Sequence, residues 1–174
     1  METFKDLPAL GTPLGGGFVG AIDFAPDGIY ALIVAPKAEG EKMKVRYKIR
    51  DLGTFDGTTS DDDGLANSLL INDDNHPAAQ HCRALRIGGV DDWRLPSRDE
   101  LMRLWMALGP NRANTPELFR KGGSEAFEEC WYWSSTEYAS NSYLAWIVVF
   151  GDGCQNLYSK DVSYGVRAVR RLKI

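Results

Sequence analysis

The sequence has few of the residues from which catalytic and metal sites are usually built. It contains three cysteines and two histidines in 174 residues. The cysteines, Cys82, Cys130 and Cys154, match no zinc-binding spacing, and a reducing compartment explains them more simply. One disulfide between Cys130 and Cys154 stays open as an alternative. The histidines, His76 and His81, are five residues apart and do not share a helical face as the ligand pair of a zinc protease does.

Other catalytic patterns are missing or lie in the wrong context. No serine occupies a Gly-x-Ser-x-Gly elbow. Gly15, Gly17 and Gly20 match a dinucleotide-binding spacing, but a strand and not a helix is predicted to follow them. The aspartates 61–63, with Asp73 and Asp74 downstream, lack the ligand spacing of an EF-hand and are interpreted as a solvated acidic loop. We therefore predict that the protein is not an enzyme and has no cofactor and no metal.

Long apolar runs and an excess of basic residues are also absent. No run of about 18 apolar residues exists, so no membrane insertion is predicted. Residues 1–10 lack the apolar stretch of a signal peptide, so we expect synthesis in the cytoplasm without one. The formal net charge of −4 argues against a nucleic-acid partner. Four basic residues alternate with apolar ones near the C-terminus and are interpreted as a solvated strand face: Arg167, Arg170, Arg171 and Lys173.

Hydrophobic alternation and turn residues predict strands towards both ends of the chain. Residues 18–24 and 29–35 flank Pro26-Asp27-Gly28, whose turn chemistry predicts a β-hairpin. A short strand is expected at 43–49. Aromatic and valine-rich segments predict four later strands, at 131–134, 144–150, 155–159 and 165–172.

Two helices have clear start signals. The first begins at Pro77 with His76 in the capping position, and it is expected to end at the glycines 88–89. The second begins with a capping box of Ser97 and Glu100. Its predicted buried stripe comprises Leu101, Leu104, Trp105 and Leu108.

A third, shorter helical segment is expected at 124–129. The order of a hairpin, helices and then an antiparallel group of strands predicts an α+β fold, not a parallel α/β sheet. We divide the chain into an extended N-terminal arm, residues 1–17, and a single domain, residues 18–174.

Spaced motifs carry a family resemblance. One reads Asp-Asp-Trp-Arg-Leu-Pro-Ser-Arg-Asp-Glu-Leu at 91–101, and another reads Tyr-Trp-Ser-Ser-Thr-Glu-Tyr at 132–138. Further matching positions are Ala145, Trp146, Phe150, Gly153, Lys160 and residues 166–171. With segments 30–37 and 63–67, these motifs resemble the C-terminal domain of collagen-like bacterial adhesins, the Lcl C-terminal domain family, in its prophage tail-associated branch.

The resemblance implies a C-type-lectin-like fold, with antiparallel sheets flanked by two helices, an N-terminal β-hairpin and paired first and last strands. The calcium-ligating motifs of sugar-binding C-type lectins are absent, and the catalytic cysteines of formylglycine-generating relatives cannot be placed. Trp93, Trp133 and Trp146 are therefore expected to anchor the core. A buried polar pair of Arg94 and Glu137 stays open as an alternative.

Two segments between these anchors, 138–143 and 152–158, are rich in tyrosine, serine and asparagine. Such residues dominate adaptable binding surfaces, because tyrosine gives rigid contact area and serine or asparagine gives hydrogen bonds. In related variable proteins of diversity-generating retroelements, this region is the ligand surface. Ordinary polar turns remain the competing interpretation. The predicted ligand-binding residues are Tyr138, Ser140, Asn141, Tyr143, Asp152, Gln155, Asn156 and Tyr158.

The leading functional hypothesis is a non-enzymatic binding domain of a phage or prophage virion, located on the tail or tail fibre. Its expected partners are a host surface glycan or protein and neighbouring virion structural proteins, contacted through residues 1–17. A capsid or tail decoration protein without a receptor role is one alternative, and a secreted bacterial adhesin-type lectin-like domain is another. A homo-oligomer stays open.

Overall fold

A computed structural model describes residues 7–174, and within them the chain forms two sheets, four α-helices and two short 3-10 helices. The strands are β1 Pro13–Leu14, β2 Gly17–Ala25, β3 Gly28–Val34, β4 Glu41–Arg46, β5 Trp131–Glu137, β6 Leu144–Val149, β7 Gln155–Ser159, β8 Ser163–Arg167 and β9 Val169–Lys173. The helices are α1 Lys37–Gly40, α2 Gly64–Leu70, α3 Pro77–Arg83 and α4 Arg98–Leu108. The predicted α+β class is confirmed.

The first sheet is built on the predicted N-terminal hairpin. Strands β2 and β3 pair antiparallel, from Phe18 opposite Val34 to Ala25 opposite Gly28. Gly28 has a φ of 147°, a conformation that glycine adopts without steric cost. The sheet order is β1-β2-β3-β9, so the last described strand pairs with β3, the second strand of the hairpin, and not with the first strand as the resemblance implied. The C-terminus therefore closes the sheet that the N-terminus begins.

The second sheet has the order β4-β8-β5-β6-β7. Its pairs are antiparallel except for β5 and β8, which run parallel where Tyr132 lies opposite Gly165. Strands β5, β6 and β7 form a meander, so the turn after β5 and the turn after β6 lie at opposite ends of the sheet. This topology places the start of the second predicted recognition segment away from the first, whereas the end of that segment returns along β7, where Tyr158 lies opposite Ala145.

The predicted strand at 165–172 is in fact two strands in different sheets. Strand β8 ends at Arg167 and β9 begins at Val169, with Ala168 between them. Ala168 donates its N–H to Gly40 and accepts the N–H of Ala35, so the chain crosses from the second sheet to the first at this residue. The crossing joins the two sheets covalently.

This crossing also corrects the interpretation of the basic run. Arg167 is 0% exposed and Arg170 is 8% exposed, so these two residues do not belong to a solvated strand face. The Arg167 guanidinium donates to the carboxylate of Glu125 at 2.8 Å, and Arg170 donates to the carboxylate of Asp92 at 2.6 Å. Arginines thus bury their charges beside acidic partners at the junction of the sheets.

Helix α4 confirms the clearest local prediction. Both hydrogen bonds of the Ser97–Glu100 capping box are present. The buried side chains of this helix include Leu101, Leu104 and Leu108, and Trp105 is half-buried. A local sequence signal therefore fixed both the start and the buried face of the helix.

The other helical predictions were less accurate. Helix α3 begins at Pro77 as predicted but ends at Arg83, before the glycines at 88–89. His76 occupies the N-cap position without a side-chain capping bond, since its Nδ1 atom is 2.7 Å from Asp73. The helix predicted at 124–129 does not form.

Helix α2 was not predicted at all. It begins after Asp63, whose side chain accepts the N–H of Ala66 at 2.9 Å. The third aspartate of the acidic run is therefore a helix cap. Residues 61–63 are exposed, as expected for a solvated acidic loop.

Two of the three expected tryptophan anchors lie in the core. Trp93 and Trp133 are fully buried, and each indole N–H donates to a carbonyl oxygen at 3.0 Å. Trp146 is only half-buried, and the Arg98 guanidinium lies 4.3 Å from its ring centroid. Trp146 is therefore an amphipathic border residue and not a core anchor.

The alternative ion pair of Arg94 and Glu137 is wrong, although both side chains are buried. Arg94 contacts Glu100 at 2.5 Å, and Glu137 contacts Lys160 at 2.9 Å. Each buried charge is paired with a different residue, and the order of the motifs along the sequence does not reveal which residue that is.

Cys130 and Cys154 are free, so the disulfide left open by the sequence does not form. The carbonyl oxygen of Cys130 accepts the N–H of Phe150, and the carbonyl oxygen of Cys154 accepts the N–H of Val149. The two cysteines therefore lie on opposite sides of the end of β6. Two strand spacings amount to roughly 9.5 Å. A disulfide requires a Cα separation of about 4.4–6.8 Å, so one intervening strand is sufficient to exclude it.

Residues 7–17, the described part of the predicted arm, are hydrogen-bonded to the first sheet. The N–H of Gly11 donates to Val19, the N–H of Val19 donates to Thr12, and β1 pairs with β2. Residues 1–6 of the predicted arm lie outside the described residues, and the boundary at residue 17 stays a prediction. Among residues 7–174, no helix has the length and apolarity needed to cross a bilayer.

The buried arginine at the sheet junction gives a first prediction. Arg167→Ala should lower the free energy of unfolding by about 3–5 kcal/mol, because it leaves buried acidic partners without a counter-charge. Urea denaturation measures this loss. Arg171→Ala is the matched control, since Arg171 is exposed in the same basic run and should have a much smaller effect. Equal losses for the two variants would contradict the assignment.

Candidate functional site

The β5–β6 turn carries four of the predicted ligand-binding residues. Ser140 and Asn141 are exposed, and Tyr143 is 53% exposed. Tyr138 is half-buried, with its ring edge-on to Trp146 at a centroid distance of 5.9 Å. The Asn141 carboxamide oxygen accepts the N–H of Tyr143 at 3.0 Å. Most of the turn is therefore exposed, and a hydrogen bond within it holds its conformation. Such a turn can contact a ligand without the entropic cost of ordering a flexible loop.

The other four predicted residues lie on the β6–β7 hairpin, three of them towards its turn. Asp152 is in the β6–β7 turn, where its carboxylate accepts the N–H of Cys154, and Gln155 and Asn156 are exposed on the edge strand β7. The six residues of β6 separate the two turns, which corresponds to roughly 20 Å. Tyr158 packs against Trp131 at a centroid distance of 4.6 Å. The structure does not bring the eight residues onto one surface.

A loop that was not predicted to take part in binding lies beside the β5–β6 turn. The Ser142 hydroxyl donates to the carbonyl of Gly53 at 2.9 Å. A Cβ atom on Gly53 would lie 2.9 Å from the hydroxyl oxygen of Tyr143, so the two segments are in close contact. Phe55 in this loop is 53% exposed. We name residues 51–57 and 138–143 together the turn–loop surface.

Helix α2 borders this surface. Leu70 is 59% exposed, and a Cβ atom on Gly57 would lie 3.7 Å from its Cδ1 atom. Its neighbour Leu69 is 57% exposed. Single exposed apolar residues are common, but several next to one rigid loop are typical of interaction sites. Residues 51–57 show no regular apolar periodicity that would mark them in the sequence, and the exposed Phe55 is the clearest available signal.

A buried ion network lies beneath the turn–loop surface. Lys160 Nζ is 2.9 Å from Glu137 and 2.8 Å from Asp56, and Lys48 Nζ is 2.6 Å from the other carboxylate oxygen of Asp56. These four side chains are at most 6% exposed. Alternating charges at these distances satisfy one another where water has little access.

The network holds the loop through its backbone as well. The Glu137 carboxylate accepts the N–H groups of Asp56 at 3.1 Å, Gly57 at 2.6 Å and Thr58 at 3.1 Å. The Lys48 ammonium also donates to the carbonyl of Thr54 at 2.9 Å. Loop 51–57 is therefore fixed to the end of β5 from below, which leaves its outer side free to contact a ligand.

Asp56 is the electrostatic centre of the network. Burial alone would raise the pKa of its carboxyl, but hydrogen bonds from His76, Lys160 and Lys48 outweigh burial and hold the pKa well below its usual range. His76 Nε2 lies 3.2 Å from Asp56. Asp56 therefore remains ionised throughout the physiological pH range.

A charged cleft of about 850 Å³ lies between the β2–β3 hairpin and the first half of α4. Most of its charges are paired, as in Arg103 with Asp23 and Arg94 with Glu100. Burial, followed by repulsion from Asp61, raises the pKa of Asp99 at its rim. Within residues 7–174, no three His, Cys, Asp or Glu side chains converge on a metal position. The expected absence of metal and cofactor stays a prediction.

Comparison with known proteins places this architecture in a family. The model of the Lcl C-terminal domain matches residues 50–170, so the chain belongs to the Lcl C-terminal domain family. This match includes Lys160, Asp56 and Glu137 of the ion network. A search of curated protein sequences found no match.

A solved structure has a similar fold. It is a fimbrial protein from Bacteroides ovatus ATCC 8483, with 14% sequence identity and a TM-score of 0.51. The match covers 83% of this chain and 36% of the fimbrial protein. This chain thus spans about a third of that protein's length, and the similarity concerns the fold alone.

The ion network gives a prediction about pH. Asp56→Asn should lower the free energy of unfolding at pH 7 by roughly 3 kcal/mol, because the buried Lys48 loses its counter-charge and the buried Lys160 loses one of its two acidic partners. The folded-state pKa of Asp56 lies below the unfolded value of about 3.9. Its stabilisation is thus complete above about pH 4 and is lost as the pH falls further, so the difference between wild type and variant should narrow below pH 4.

Urea denaturation at pH 7, 4 and 3 measures this difference. Asp161→Asn is the matched control, since Asp161 is exposed and directly follows Lys160. It should have little effect at any of these pH values. A difference between wild type and Asp56→Asn that stays constant with pH would contradict the assigned role of the carboxylate.

Proposed function

We propose that this chain is a non-enzymatic, adhesin-type binding domain whose turn–loop surface contacts a ligand on a host cell. The observation that carries the proposal is that Tyr143 and Phe55 are exposed on segments whose backbone is held by a buried ion network. Rigid aromatic side chains provide contact area at a small entropic cost. Preorganised loops bind more tightly than loops that must order on binding.

Two comparisons support an adhesive role. The chain belongs to the Lcl C-terminal domain family, and its motifs resemble the C-terminal domain of collagen-like adhesins. The solved structure with a similar fold is a fimbrial protein. A glycan or a protein on the host surface is the proposed ligand class. The second predicted segment, with Asp152, Gln155 and Asn156, forms a separate exposed patch in this proposal.

We also propose that the fold is a variant of the C-type-lectin-like fold. Pairing of β3 with β9, which brings the early hairpin and the last strand together, supports this assignment. So does the position of α3 and α4 beside the sheets and the loop-rich end formed by residues 51–57 and 138–143.

The finer proposal is a phage or prophage virion protein located on the tail, with residues 1–17 as the contact to other virion proteins. The resemblance to the prophage branch supports it. A decoration protein without a receptor role and a secreted adhesin-type domain are the alternatives. Because residues 7–17 are hydrogen-bonded to the first sheet, any docking contact must accept that segment in its folded form.

The turn–loop surface is tested by the double variant Phe55→Ala/Tyr143→Ala. It should reduce binding of the labelled protein to whole bacterial cells by more than about tenfold, because truncated central aromatics dominate interface energies. The melting temperature should change little, since both side chains are more than half exposed. Flow cytometry and a thermal melt measure the two effects.

The matched control is Met106→Ala/Leu118→Ala, which removes exposed apolar side chains elsewhere: Met106 is 56% exposed and Leu118 is 43% exposed. Its binding should equal that of wild type. Undiminished binding by a folded Phe55→Ala/Tyr143→Ala protein would exclude the turn–loop surface as the ligand contact.

The virion proposal makes a separate prediction. Particles released from a producing strain should contain this protein at a fixed stoichiometry, and gold-labelled antibody should locate it on the tail in electron micrographs. Label on the capsid would favour the decoration protein. Secretion without particles would favour the adhesin-type alternative.

A further inference from the structure

A second surface, distinct from the turn–loop surface, has the properties of a ligand site. Three half-buried aromatic rings cluster near the start of β5: Trp131 lies 4.6 Å from Tyr158 and 5.0 Å from Tyr164, measured between centroids. Trp131 and Tyr164 line a groove of about 420 Å³, which is within the size range of small-molecule sites. We name this feature the aromatic groove.

The indole of Trp131 differs from those of the core tryptophans. Trp93 and Trp133 each donate their indole N–H to a carbonyl oxygen at 3.0 Å. No acceptor among the described residues takes the indole N–H of Trp131. The hydroxyls of Tyr158 and Tyr164 likewise have no hydrogen-bond partner among residues 7–174. A cluster of half-buried rings therefore presents three polar groups that are available to water or to a ligand.

The walls of the groove are close-fitting. A Cβ atom on Gly165 would lie 2.9 Å from Met43, so the absence of a side chain at residue 165 lets the methionine approach β8. A bulge in β4 accompanies this approach, and Lys44 in the bulge has a φ of 58°, which is uncommon for a residue other than glycine. Backbone strain of this kind often occurs where binding requires a particular shape.

The charges at the groove point to an uncharged ligand. Lys44 and Glu129 are the charged residues of its lining, one of each sign. Glu129 is already paired with Lys121 at 2.6 Å. Burial raises the pKa of Tyr164 to about 12, so its hydroxyl keeps its proton at neutral pH. An anionic polysaccharide would find no cluster of cations here.

We propose that the aromatic groove binds an uncharged pyranose ring of a saccharide. One face of such a ring carries C–H groups with a slight positive charge, which complement the electron-rich face of Trp131 or Tyr164. Its hydroxyls can accept from the Trp131 indole and exchange hydrogen bonds with the hydroxyl of Tyr164, which also lines the groove. The site does not depend on the turn–loop surface, because β5 runs from Trp131 at one end of the sheet to Glu137 at the other.

The test uses an array of immobilised uncharged oligosaccharides (glucans, galactans and mannans) beside sulfated and sialylated ones. Wild-type protein should bind at least one uncharged oligosaccharide. Trp131→Ala should weaken that binding by more than about tenfold, as expected for loss of a central aromatic contact. Tyr164→Phe, which keeps the ring and removes the hydroxyl, should weaken it less.

Trp105→Ala is the matched control, since Trp105 is half-buried on α4 and lies outside the groove. It should bind as wild type does. Trp131→Phe, together with Tyr164→Phe, replaces Trp131→Ala should that variant fail to fold in a thermal melt. Phe55→Ala/Tyr143→Ala should leave array binding intact, so failure of one site is distinguishable from failure of the other.

Three results would overturn the proposal. The first is no binding of any uncharged oligosaccharide by folded wild-type protein. The second is binding confined to the sulfated or sialylated oligosaccharides. The third is equal binding by folded wild type and Trp131→Ala.

Discussion

The structure depends on a buried chain of alternating charges in which each group has a close partner of opposite sign. Glu137 ends a strand, Lys160 follows another, and Asp56 and Lys48 come from a loop, so one network ties three distant segments together. Burying four ionised groups is costly unless each has a close partner. The same cost makes the arrangement specific, because any shift of the loop would leave a charge unpaired. The network therefore also restricts the motion of the turn–loop surface that lies above it.

A second buried charge has a similar effect at the junction of the sheets. Arg167 ends one strand, contacts Glu125 and donates to the carbonyl of Ala35 at 3.0 Å, while its guanidinium lies 4.6 Å from the ring centroid of Phe127. Polar and apolar contacts thus hold the crossing at Ala168 from both sides. The cluster around Arg167 therefore holds the junction of the two sheets, and the cluster around Lys160 holds loop 51–57. Both act together with the buried tryptophans.

The two proposed recognition surfaces are separate from the buried frame that supports them. The turn–loop surface lies above the ion network at one end of β5, and the aromatic groove lies at the other end, beside Trp131. Between them, the strand carries Trp133 in the core. A single strand therefore runs from one proposed surface to the other, and its middle is buried.

The sequence by itself determined the local elements: the Pro-Asp-Gly hairpin, the capping box at Ser97 and the α+β order all rest on contacts within a few residues. Its motifs also indicated the family, and residues 139–141 and 143 of the predicted turn are exposed. The tertiary structure alone decided which charges pair, where the C-terminal strand divides and which of the predicted ligand residues lie together. These outcomes depend on neighbours dozens of residues away: the partners of Glu137 include Lys160 and the backbone of 56–58, and periodicity carries no information about such distances.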